Sequence, residues 1–169
     1  MNAGLLVVRL VVGLVMAGHG AQKLFGWFGG YGIAGTGQYF EGLGFRPGRL
    51  FATLAAVSET FGGLLIALGF FGPVGPTVVL ATMIVAAVAV HWSHGLFAMN
   101  NGIEVPLLYG AVAAGLTLTG PGGYSVDALL GLTALWTPAV TWTALGVGII
   151  SGLGNLALRH VPGRQQVVG

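Results

Sequence analysis

The sequence predicts an all-α membrane protein with five transmembrane helices. One reason is charge: 6 Lys and Arg and 4 Asp and Glu make 6% of 169 residues, against about 25% in a typical soluble domain. Another is apolarity, 55% hydrophobic residues with a mean hydropathy of +0.90. The third is that the apolar residues recur in runs near the ~20 residues a helix needs to cross ~30 Å of hydrocarbon. Helices satisfy their own backbone hydrogen bonds, as lipid demands.

The predicted spans are residues 3–25, 50–71, 74–92, 105–120 and 138–158. The first lacks a basic leader, because Arg9 lies within the apolar run; it reads as a retained span rather than a cleaved signal. The fourth is short and predicts little tilt or an extension at one end. Gly13, Gly62, Gly63, Gly110 and Gly115 lie inside spans, where small residues let helices approach. Phe71-Gly72-Pro73 predicts a tight turn, Gly120-Pro121-Gly122-Gly123 a stop, and Pro138 a start or kink. The Gly-rich connection 26–49 carries Trp27, Phe28, Tyr31, Tyr39, Phe40 and Phe45. Rings of this kind favour the headgroup level, so it predicts an interfacial segment with one short helix over 38–43.

Composition also excludes. With no cysteine, the chain offers no disulfide or thiolate metal site. A formal net charge of +2 is too small and scattered for nucleic-acid binding. Lys23, Arg46 and Arg49 in the first loop and Arg159 and Arg164 in the tail fall on one side if there are five spans. The positive-inside rule makes that side cytoplasmic, with the N-terminus outside and the C-terminus inside. Arg159, His160 and Arg164 then read as an anchor on anionic lipid.

Charges within spans are costly and mark a function or a structural pair. His19, Glu59, His91 and Glu104 come out in the same half of the bundle. At 1.5 Å rise per residue, His19 lies ~6 Å, Glu59 ~13 Å and Arg9 ~21 Å from the cytoplasmic end. The reach of an arginine predicts an ion pair between Arg9 and Glu59, with His19 as the next neighbour. Three readings of Glu59 stand side by side. It is a structural partner of Arg9 or His19, or a protonatable group in a ligand site, or a metal ligand with His19, His91 and Glu104. Their unequal depths and the lack of a ligand spacing argue against metal. His91 and His94, at i and i+3, form a weak second candidate. The stretch 91–104, with Trp92, Phe97, Met99, Asn100 and Asn101, reads as a re-entrant or interfacial loop, or as a lid over the cluster.

At Gly18-His19-Gly20-Ala21-Gln22-Lys23-Leu24-Phe25-Gly26-Trp27-Phe28-Gly29-Gly30 the chain resembles the DoxX family of bacterial and archaeal membrane proteins. Further matches are Gly35-Thr36, 40–44, Ser58-Glu59, Gly62-Gly63, 91–97, Asn101-Gly102 and 124–128. The resemblance implies a four-helix bundle over 1–132, with 133–158 as an added C-terminal transmembrane helix and 159–169 as a basic tail. It also implies a plasma-membrane location and a small membrane subunit of a redox-linked assembly, without assigning a reaction to the chain itself. The family's polar positions carry over as His19, Lys23, Glu59, His91 and Glu104. With Trp92 and Phe97 they form the expected ligand site. The expected ligand is a quinone or a lipid, with no intrinsic cofactor or metal. Expected partners are membrane lipid, an oxidoreductase protein and a second copy of the chain. The alternative is a non-catalytic scaffold or assembly factor whose polar cluster only locks the bundle.

Overall fold

The computed structural model describes residues 2–160, and every regular element among them is helical. Helix α1 spans Asn2–Phe25, α2 Gly32–Gly42, α3 Gly48–Leu68, α4 Val74–Ala86, α5 Glu104–Thr119, α6 Val126–Leu129 and α7 Pro138–Ala157. Helix α4 widens into a π-helical turn over Ala87–His91 and tightens to 3₁₀ over Trp92–His94. Four helical stretches are long and apolar enough to cross a membrane: Asn2–Phe25, Gly48–Leu68, Val74–His94 and Pro138–Ala157. The expected fourth span is the shorter apolar helix α5, 16 residues long. At 1.5 Å per residue it is ~24 Å long, less than the ~30 Å core.

Large apolar side chains lie on the outside, including Val7, Val11, Leu14, Phe61, Leu108 and Ile150, while Arg9, Glu59 and Asp127 are buried. A soluble protein could not carry that surface; lipid provides its solvent. The core is small and apolar, with Met16, Ile66, Val79, Leu80, Met83, Ala113 and Leu116 meeting where α1, α3, α4 and α5 converge.

Small residues set the closest crossings. A Cβ on Gly13 would lie 2.6 Å from the Gly63 carbonyl oxygen and the Ala67 nitrogen, and one on Gly63 would lie 2.5 Å from the Gly13 oxygen. Helices α1 and α3 therefore touch backbone to backbone, as small-residue pairs permit in membranes. Gly110 packs more loosely against α4, and Gly115 faces open space, contrary to its expected packing role.

The breaks follow local chemistry. Gly69 ends α3 in the left-handed conformation, and its N–H caps Ile66. Pro138 starts α7 rather than kinking it, and the Thr137 hydroxyl accepts from the Val140 N–H. The connection 26–49 is more helical than expected: α2 has 11 residues and starts at Gly32 rather than at 38. Helix α2 packs on α3 and α1, and that tertiary contact stabilises a Gly-rich stretch whose own propensity is low.

Helix α7 is no free appendage. It packs on α4 and α5, and beyond it the Arg159 Nε donates to the Leu43 carbonyl and the His160 N–H to the Gly44 carbonyl. These contacts tie the end of α7 to the corner between α2 and α3. Arg164 and the rest of the basic tail lie outside the described residues.

Candidate functional site

The Lys23 end of the bundle brings together the C-terminus of α1, the N-terminus of α3 and the π-helical turn of α4. Lys23 Nζ donates to Glu59 Oε2. Glu59 is 3% exposed, and the Lys23 side chain 28%. Arg9, the expected partner of Glu59, lies elsewhere. Its Nη2 donates to the Tyr124 carbonyl near the opposite end, against Gly69 and within coulombic reach of Asp127. Helix geometry explains the exchange. Side chains tilt toward the N-terminus of their own helix. Arg9 therefore extends away from Glu59, while Lys23 reaches into the bundle and Glu59 leans to meet it.

A cavity of about 940 Å³ opens beside this ion pair, lined by Gln22, Lys23, Ser58, Glu59, Thr82, His91, Ser151 and Asn155 among others. Tyr31, Tyr39, Phe40, Phe45 and Phe51 supply an aromatic wall, and α4 contributes Val78, Ala81, Val85 and Ala89. Lys23, Glu59 and His91 thus line one cavity. His91 reaches the cavity from the π-helical turn, a distortion that recurs at functional sites. Its Nδ1 lies 2.7 Å from the Asn101 carbonyl, an acceptor, so Nδ1 carries the proton. Nε2 of a neutral ring is then an acceptor.

The other expected members are elsewhere. His19 is exposed; it contacts Gln22 Oε1 at 3.2 Å and meets the Tyr109 ring edge-on at 6.3 Å. Glu104 Oε2 accepts from the Ala98 N–H at 2.7 Å and braces the 3₁₀ turn Ala98–Asn100. Trp92 and Phe97 are exposed, as is the whole stretch 92–101, so this loop does not roof the cavity. The rings that do line it come from the connection 26–49 and from α3. Their abundance was visible in the sequence, but the fold of α2 turns them inward. Among the described residues no three His, Asp or Glu side chains converge as a metal would need, so the set His19, Glu59, His91 and Glu104 is not assembled.

A second polar cluster holds the opposite end. Asp127 is fully buried and accepts from the Phe71 N–H at 2.9 Å, the Gly72 N–H at 2.6 Å and Trp136 Nε1 at 2.7 Å. The turn between α3 and α4 is thereby fastened to the segment leading into α7. The available signal in the sequence is a lone acid followed by Trp136 in so apolar a chain.

Fold and site define a multi-pass, all-helical membrane protein with a polar group-bearing cavity at one end. The chain belongs to the DoxX family: the DoxX family model matches residues 4–92. It is similar to the inner membrane protein YqjF of Escherichia coli, 31% identical over 132 residues that cover 76% of this chain and 93% of the relative. No solved structure matches.

Proposed function

We propose that the chain is a small membrane subunit of a redox-linked assembly and that its cavity binds a quinone. One observation carries the reading: an ion pair and a histidine line an aromatic and aliphatic cavity of about 940 Å³. That size suits a head group with part of its tail, and a mostly apolar lining with few polar groups is the usual character of a ligand site. The lining fits a quinone chemically. Lys23 offers N–H donors to a carbonyl, while Glu59 and His91 Nε2 offer acceptors to a hydroxyl. A bound quinone would supply two-electron chemistry; this chain's residues would hold its ring and exchange its protons.

Lys23, Arg46, Arg49 and Arg159 gather at the cavity end, and no lysine lies elsewhere among the described residues. The positive-inside rule then makes that end cytoplasmic, in the inner membrane by likeness to the relative named above. A protein oxidoreductase would dock there, and the small-residue helix faces suit a second copy of the chain.

The purified protein should carry extractable quinone, and added decylubiquinone should displace bound lipid in native mass spectrometry. Glu59→Gln should remove that displacement while the protein stays folded. No quinone and no displacement would sink the reading. The alternative, a scaffold without ligand, is favoured by the mutual neutralisation of Lys23 and Glu59. It expects partner assembly to survive Glu59→Gln with only a loss of stability.

A further inference from the structure

Helix α7 lies outside the residues matched by the family model, yet it closes one side of the cavity with Ser151 and Asn155. The helix is held close. A Cβ on Gly152 would lie 2.9 Å from Ile84 Cβ and 3.0 Å from the Ala81 carbonyl oxygen, and Gly148 lies against Thr77. These contacts advance together along both chains, so α7 runs parallel to α4. On the other flank of α4, Gly62 of α3 lies against Gly75 and Val79. Counting three residues onward from each glycine puts Glu59 and Asn155 on facing sides of α4, about a turn and a half apart in depth, roughly 8 Å.

The free hydrogen-bonding capacity of the two walls matches. Lys23 keeps donors beyond the one given to Glu59, and Glu59 keeps Oε1, which has no partner among the described residues. Asn155 Nδ2 gives one N–H to the Ser151 carbonyl at 3.0 Å. Its second N–H and its Oδ1 remain, so it can donate to a carbonyl or accept from a hydroxyl. Of the other neutral polar side chains on the lining, Gln22 and Thr82 have partners, Gln38, Ser58 and Ser151 show none among the described residues, and Asn155 is the amide that α7 contributes. Gln22 engages His19 and the Phe28 carbonyl, and the Thr82 hydroxyl donates to Val78. His91, with Nδ1–H given to the Asn101 carbonyl, has only Nε2 left.

We infer that Asn155 is the second anchor of the ligand ring: one ring oxygen meets Lys23 and Glu59, and the oxygen across the ring meets Asn155, with α7 as a binding wall. This rests on the quinone reading. Because each wall holds a donor and an acceptor, the arrangement retains the ring in its oxidised and its reduced form.

The test compares two probes in detergent by calorimetry: decylubiquinone, with two ring oxygens in para position, and 4-decylphenol, with one. Asn155→Leu should weaken decylubiquinone roughly three- to tenfold, the loss of one hydrogen bond, and leave 4-decylphenol unchanged. Lys23→Met should weaken both. Asn155→Ala serves as a smaller replacement if the leucine variant melts early. Equal loss of both probes in the Asn155 variants means a packing role and overturns the inference. Unchanged decylubiquinone affinity in those variants overturns it while sparing the quinone reading. Failure of the unaltered protein to bind either probe overturns both.

Discussion

The two ends of the bundle bury acids in opposite ways. Asp127 has N–H donors on both oxygens, two from the backbone and one from Trp136, and arginine nearby. Glu59 has one oxygen on Lys23 and faces a cavity. The Asp127 carboxylate has its partners within the chain, and removing it orphans them, although Arg9 Nε and Nη1 beside it are buried without a partner among the described residues. An open cluster leaves donors and acceptors for a visitor. In a chain with so few charges, the number of satisfied partners separates a clamp from a site better than burial does, since both acids are almost wholly buried.

The comparison is broken most severely at the clamp. Asp127→Ala should strand two backbone N–H groups, the Trp136 indole and the Arg9 guanidinium, at a cost of about 3–5 kcal/mol. A thermal melt in detergent reads this directly, and a loss below about 1 kcal/mol would show that the clamp is ornamental. Ligand binding in the surviving fraction should be unaltered.

Next in size is a double variant that joins the two ends. Arg9 and Glu59 have separate partners, so the stability losses of Arg9→Met and Glu59→Gln should add to within about 0.5 kcal/mol. Each variant alone should cost about 1–3 kcal/mol, and only Glu59→Gln should affect binding. A double variant more stable than the sum of the singles would restore the direct pair that depth alone had suggested.

The smallest effect belongs to Glu104, which braces a loop and does not line this cavity. Glu104→Ala should cost about 1 kcal/mol and leave probe affinity within error. A clear loss of binding would return Glu104 to the site.

Much of this was legible from residue order. Of the expected site, Lys23, Glu59 and His91 line one cavity, and the small residues at Gly13 and Gly63 let α1 and α3 cross backbone to backbone. The exchange of partners was legible too, in principle. A side chain tilts toward the N-terminus of its helix, which sends Arg9 one way and Lys23 the other. Depth arithmetic without direction paired the wrong cation with Glu59.

By itself the sequence determined that the chain is helical and lipid-embedded and, to within a few residues, where its long helices start and stop. These are local properties: hydropathy over ~20 residues and the chemistry of caps and prolines act within one segment. Only the tertiary structure decided that α2 turns its aromatic rings into a cavity, that His19 and Glu104 stand outside it, that Asp127 is a clamp, and that α7 completes a wall. Those outcomes depend on how each helix is rotated about its axis and which neighbour it faces. Position along a span supplies one coordinate of three, and close packing between helices supplies the others.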